Sequence, residues 1–188
     1  MYIDIYNTEN KYDIIYADPA WTYTNVVKNN PKKWGSAQSH YVCSSNNEMK
    51  SMPIKEISNK NSVLIMWVTA PCLEEGLDLM KSWGFQYKTV LFTWAKQNRI
   101  SDSWQFGMGH YTRPNTEFCL FGVKGKGIKV KSHSVRQLIV SHVRDHSRKP
   151  DEARERIVNL FGDIPRIELF ARESADGWDC YGYEAPKE

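Results

Sequence analysis

The chain has 188 residues, 41% of them hydrophobic, and a formal net charge of +3. That length suits one sizeable core, read as a single domain over 1–188, and so small a charge excludes bulk charge as an argument for a polyanionic partner, leaving local clusters to carry it. Cys43, Cys72, Cys119 and Cys180 form no compact disulfide framework, the amino terminus lacks a signal peptide's apolar stretch, and the longest apolar run, 62–71, is too short to span a bilayer, so reduced thiols, a cytoplasmic location and no membrane partner are expected.

In chain order, the first apolar run, Ile14 to Ala17, reads as a buried strand. A polar segment over 22–39 follows, and Ser45 with Glu48 has the spacing of a capping box opening a short helix. Val63 to Val68 is the second strand. Pro71 to Trp83 carries Leu73, Leu77 and Met80 on one helical stripe, with Gly84 as its stop. Val90 to Trp94 and Phe118 to Val123 are further strands, separated by a polar, Gly- and Pro-containing stretch over 97–114; loops of that length inside a compact domain are usually functional. Pro150 to Phe161 reads as a helix with Asp151 and Glu152 in its first turn, Ala153, Ile157 and Leu160 on its apolar face, and Gly162 at its end. Arg166 to Phe170 is the last strand. Strands apolar on both faces, alternating with helices, give an α/β fold: a mostly parallel sheet with helices on both faces.

The strand Ile14-Ile15-Tyr16-Ala17 ends abruptly in Asp18-Pro19-Ala20-Trp21. In an open parallel sheet ligands bind beyond the carboxyl ends of the strands, where Asp18 falls. Modifying an aromatic amine is difficult because the nitrogen lone pair is delocalised into the ring. Acceptors for both N–H groups, here the Asp18 carboxylate and the Pro19 carbonyl, would make that nitrogen more nucleophilic. Ala20 would line the same turn, and Trp21 would offer an unstacked base a ring to lie on. So short a motif also suits a plain strand end, so the remainder of the chain must decide.

Asp18-Pro19-Ala20-Trp21 resembles the D-P-P-W signature of the MT-A70 family of adenine methyltransferases. The resemblance continues in family order through Tyr41, Glu48-Met49, Leu64 to Thr69 and Trp94 with Lys96. It then takes in Asn115-Thr116-Glu117, the stretch Leu120 to Gly125, His146 to Glu152, Ile167 to Arg172, and Gly177-Trp178-Asp179. Ala20 departs from the family's second proline but leaves both acceptors in place, and Tyr183 stands where a related ending has asparagine. The resemblance implies a Rossmann-like methyltransferase fold and methyl transfer from S-adenosylmethionine to the N6 amino group of adenine. Asp18, Pro19 and Trp21 would be catalytic, with Asp18 also facing the cofactor.

Lys149 stands directly before the helix begun at Pro150; a helix amino terminus with a lysine makes an anion site, suited to the cofactor's carboxylate, although an ordinary charged helix start looks the same. Glu168 can reach hydroxyls, and the resemblance assigns the ribose and adenine to this strand and the turn after it, adding Phe170, Arg172 and Glu184 as cofactor residues. No glycine fingerprint of the dinucleotide type accompanies them. His142 and His146 have metal-pair spacing without the glutamate of H-E-x-x-H, so no metal is expected.

Tyr41, Asn115 and Glu117 are substrate-side candidates. Lys124, Lys126, Lys129 and Lys131, interleaved with Gly125 and Gly127, form a basic stretch expected to lie beside the site and track phosphates. DNA is the favoured substrate, because small family members without accessory domains resemble bacterial and phage enzymes. RNA is the alternative, and a non-catalytic partner subunit that only presents nucleic acid is a third reading, disfavoured by the intact Asp18, Pro19, Trp21 and Lys149. The oligomeric state is left open.

Overall fold

The structure is a computed structural model and describes residues 1–21, 46–145, 148–182 and 184–185. Its elements are β1 (Tyr12–Ala17), α1 (Asn46–Ser51), α2 (Ile54–Ile57), β2 (Ser58–Val68), a 3-10 turn (Ala70–Cys72) leading into α3 (Leu73–Ser82), β3 (Gln86–Gln97), β4 (Thr116–Lys124), β5 (Leu138–His142), α4 (Glu152–Phe161), β6 (Arg166–Leu169) and β7 (Asp179–Tyr181). All seven strands join one sheet in the order β5-β3-β4-β2-β1-β6-β7. Among the described strands, β4 alone runs against its neighbours. The expected α/β architecture, a mostly parallel sheet with helices on both faces, is the one observed.

The strand sequences explain the layering. Side chains alternate across a sheet, so a strand apolar at every position feeds two cores. Ile14 and Tyr16 of β1, with Val63, Ile65 and Trp67 of β2, pack on the face covered by Ala153, Ile157 and Phe161 of α4. Ile15 and Ala17, with Leu64, Met66 and Val68, pack on the other face against Met49 of α1, Ile54 and Ile57 of α2, and Leu79 and Met80 of α3. Each fully buried large aliphatic or aromatic side chain contributes about 1.5–3 kcal/mol relative to exposure. At Gly122 a Cβ would come within 2.6 Å of Met80 Sδ, so glycine is what lets α3 approach β4 this closely.

α3 stops as its sequence predicts. Gly84, at φ +85, donates to Lys81 O (3.0 Å) and Phe85 donates to Met80 O (3.1 Å), the paired bonds of a Schellman motif. The helix expected from Pro150 begins at Glu152 instead, because Ala153 and Arg154 bond back three residues to Pro150 and Asp151 in a tighter opening turn. The expected start at Ser45 lies outside the described residues. Three short elements went unread: α2, the edge strand β5, and the three-residue β7. β5 buries only Ile139 and exposes Leu138, Val140 and His142, and its apolar run of three residues is too short to read as a strand.

Cys72, Cys119 and Cys180 are free and buried. Among the described residues no helix is long and apolar enough to cross a membrane.

The chain order positions the site. From β1 the chain passes to β2 on one side and builds outward through β4, β3 and β5; α4 then returns it to the other side of β1 as β6. The carboxyl ends of β1 and β6 therefore diverge at a topological switch point, where an open α/β sheet leaves a crevice.

Candidate active site

Asp18 leaves the end of β1 into that crevice, with its side chain 19% exposed. Pro19 is buried, Ala20 half-buried and Trp21 buried. The Trp21 indole donates to the Trp67 carbonyl (3.0 Å), and the Trp67 indole donates to the Tyr16 hydroxyl (2.6 Å). Two indoles thus pin the Asp-Pro turn across β1 and β2. This corrects the expectation that Trp21 presents an open stacking ring: its N–H is committed to the β2 backbone and its ring is in the core, so it braces the turn.

Four charged side chains run in a line beside the turn. Lys149 Nζ lies 2.8 Å from Asp18 Oδ1 and 2.9 Å from Asp18 Oδ2. The same ammonium lies 3.4 Å from Glu117 Oε2, and Lys96 bonds the other Glu117 oxygen. Strand direction makes this possible. Because β4 is antiparallel, its first residues, not its last, reach the crevice end, and the register opposite Trp94 sets Glu117 beside the end of β3, which carries Lys96. Burial penalises the charge on Lys149, yet the flanking Asp18 and Glu117 carboxylates outweigh it and hold the ammonium above the usual lysine range. Burial likewise opposes ionisation of Glu117, and Lys149 and Lys96 together bring its carboxyl below the usual range. The line is an alternating set of charges with the more buried Lys149 and Glu117 at its middle and, at its crevice end, the Asp18 carboxylate.

The opposite wall comes from α4 and β6. Glu168 is held from the side by Arg154, whose Nε donates to Oε2 (2.7 Å) and Nη2 to Oε1 (3.0 Å). Burial nevertheless leaves the Glu168 carboxyl above its ordinary range. Phe170, directly after β6, has φ 60, a left-handed backbone rare for a bulky residue and characteristic of ligand clamps. Between the walls lies a crevice of about 270 Å³. Its cations are Arg148, Lys149, Arg154 and Arg172; its carboxylates are Asp18, Asp145, Glu168, Glu173 and Glu184; Tyr16, Pro150 and Phe170 supply apolar surface.

Asp18, Lys149, Glu168, Phe170, Arg172 and Glu184 are thus brought together, with Glu117 behind them and Asn115 just before β4 at the same end. Tyr41 lies outside the described residues. Lys124 and Lys126 are not brought there, which corrects the expectation that the lysine stretch adjoins the site. Lys124 pairs in register with Ser62 at the far end of β2, whereas Phe118 pairs with Val68. Six residues at about 3.3 Å each put Lys124 roughly 20 Å from the crevice end. There its ammonium bonds the Lys55 (2.9 Å) and Ser58 (3.3 Å) carbonyls, and the Lys126 backbone N–H bonds Asn61 Oδ1 (2.9 Å).

The sequence reading missed Arg148, Arg154 and Glu173. Arg154 carried one signal, its place one turn into the helix that follows Lys149, which puts a side chain at the same end of the sheet. Between β3 and β4, the stretch over 98–115 does rise at the crevice end of the sheet, exposing Ile100, Trp104, Phe106, Met108 and Tyr111. His142 Nδ1 lies 2.6 Å from the Asn98 carbonyl oxygen, and His146 is outside the described residues.

Comparison with known proteins gives the following. The profile of the MT-A70 family matches residues 12–184. A Type II methyltransferase, M.MunI of a Mycoplasma species, is 34% identical over 190 residues, covering 94% of this chain and 78% of that enzyme. An N(6)-adenosine-methyltransferase MT-A70-like protein of Drosophila melanogaster is 29% identical, covering 86% of this chain and 24% of its own length. The human N(6)-adenosine-methyltransferase catalytic subunit is 28% identical, covering 91% and 27%. The chain therefore spans most of the bacterial relative and about a quarter of each eukaryotic one.

Proposed function

The chain belongs to the MT-A70 family and is an adenine methyltransferase, and from that premise we propose that it methylates the N6 amino group of adenine in DNA, using S-adenosylmethionine. The observation that carries the reading is the Asp18-Pro19 turn, fixed at the topological switch point with a crevice of mixed charge beside it.

The residues of the crevice fit that cofactor by their chemistry. Its methionine half is zwitterionic, its sulfonium positive and its ribose a vicinal diol. Lys149, Arg148 and Arg172 offer cations for a carboxylate, Asp18 and Glu173 offer carboxylates for positive groups, and Glu168 offers acceptors for hydroxyls. When bound, the cofactor supplies an electrophilic methyl group.

The chain's own residues prepare the nucleophile. An adenine amine entering beside Asp18 meets the carboxylate and the Pro19 carbonyl as acceptors for its two N–H groups, which draws the lone pair away from the ring. As the nitrogen gains a carbon it sheds one proton, and the Asp18 oxygen already bonded to it is the nearest base. Lys149 and the Trp21–Trp67–Tyr16 bonds hold that oxygen in place. Preorganised acceptors of this kind need not reorient during the reaction. A paired adenine must leave its stack to arrive there, at a few kcal/mol, so an unpaired adenine enters more readily.

Two observations support DNA over RNA: identity is higher to the bacterial Type II methyltransferase than to the relatives named for adenosine, and this chain covers far more of it. Transfer of a labelled methyl group from S-adenosylmethionine to matched single-stranded DNA, duplex DNA and RNA tests the reading. Faster labelling of DNA is expected; exclusive labelling of RNA would assign the substrate to RNA, and no labelling of any of them would refute the proposal.

A further inference from the structure

We infer that Arg154 is a positioning residue for the cofactor site: it fixes the direction and the charge of Glu168, so that the carboxylate faces the crevice as an acceptor for a ribose hydroxyl. This role rests on the cofactor reading above. Glu168 sits at the end of β6 with its side chain 9% exposed, too buried for water to orient it. The guanidinium grips both of its oxygens, at 2.7 and 3.0 Å, in the planar two-point geometry that a lysine cannot reproduce. Each carboxylate oxygen accepts more than one hydrogen bond, so this grip, which takes the inner edges of both oxygens, leaves their outer edges, and the one on the crevice side can accept from a single hydroxyl.

Arg154 is itself held. Its Nη1 lies 3.0 Å from Asp151 Oδ1 and 3.4 Å from Glu173 Oε1, and Arg144 and Arg148 balance those two carboxylates. Side chains from the helix opening and from the turn after β6 therefore lock the guanidinium before anything binds. The groups facing Glu168 are Arg154 from α4, Tyr16 and Asp18 from β1, Glu173 from the turn after β6, and Cys180 from β7. Of these, Arg154 is the cation. Without it, burial and the surrounding acidic groups would favour the protonated carboxyl, a weaker acceptor for a hydroxyl.

Calorimetric binding of S-adenosylmethionine and of its 2′-deoxy analogue, without nucleic acid, tests this role. Arg154→Met is expected to raise the Kd for S-adenosylmethionine about tenfold or more and to shrink the preference over the deoxy analogue. Arg154→Lys should recover part of the loss. The rise of affinity with pH should lie at higher pH in Arg154→Met than in the wild type, because losing the cation pushes further up a carboxyl that burial already holds above its ordinary range. In a Glu168→Gln background the same substitution should change Kd less than twofold, and this double variant leaves no buried unpaired charge if Arg154→Met alone fails to fold. Wild-type affinity in Arg154→Met, or an equal loss in the Glu168→Gln background, would overturn the role. Failure of the wild type to bind S-adenosylmethionine at all would overturn the cofactor reading itself, and this role with it.

Discussion

The ammonium of Lys149 lies 2.8 Å from the carboxylate of Asp18, although 131 residues separate them along the chain. One residue ends the first strand and the other precedes the last long helix; the crossover that returns the chain beside β1 is what makes them neighbours. The pair joins the two halves of the site. Lys149 steadies the proposed acceptor for the amine and also borders the crevice proposed for the cofactor.

Replacing Lys149 with Met should therefore affect both halves. Glu117 and Asp18 would lose a buried partner, which typically costs about 3–5 kcal/mol. The folded variant should show weaker S-adenosylmethionine binding by calorimetry and a lower single-turnover rate at saturating cofactor. If only cofactor affinity falls and the rate is kept, Lys149 serves the cofactor alone.

The same charges fix a pH dependence. Glu117 titrates below its ordinary range in the folded state, so the stability it contributes is complete above the unfolded value near 4.3 and is lost as pH falls further. Lys149 titrates above its ordinary range, so its contribution is complete below about 10.4 and is lost at more alkaline pH. Thermal melts of the wild type should show this contribution as flat between about pH 5 and 10, and Glu117→Gln should remove part of the acid-side loss. An unchanged acid limb in Glu117→Gln would show that other carboxylates govern it.

The exposed Trp104 and Phe106 lie on the connection that rises at the crevice end of the sheet. Stacking of a base on an aromatic side chain is worth about 1–3 kcal/mol in single-strand binding. Trp104→Ala with Phe106→Ala is expected to weaken single-stranded oligonucleotide binding roughly tenfold or more, with cofactor affinity unchanged; fluorescence anisotropy and calorimetry give the two readouts. Wild-type oligonucleotide affinity would remove this stretch from the nucleic-acid surface.

Much of the fold was legible because its strands are short apolar runs between clear breaks, and the stop of α3 at Gly84 could be read from the sequence. Asp18, Lys149 and Glu168 were legible because each stands at the end of an element whose type and order were right, and the family resemblance named them. Strand direction was not legible. Nothing local in the sequence of β4 says that it runs antiparallel, and that reversal places Glu117 at the crevice and carries Lys124 and Lys126 to the far end. Nor was the state of Trp21, since only the tertiary bond to the Trp67 carbonyl shows that the indole braces the turn. Arg154 escaped because a helical arginine looks like surface until the strand it grips is placed beside it.

The proposed role of Asp18 as acceptor for an adenine amine is tested most directly by product identity and rate in wild type and Asp18→Ala. Adenine-containing DNA incubated with S-adenosylmethionine and each protein, then digested to nucleosides, can be quantified for N6-methyl-2′-deoxyadenosine by mass spectrometry. The wild type should form it, and Asp18→Ala, with its fold confirmed by circular dichroism, should be slower by about a hundredfold or more, the range expected when a positioned proton acceptor is lost. Asp18→Ala forming the product at the wild-type rate, or the wild type placing the methyl group on another atom, would contradict the account.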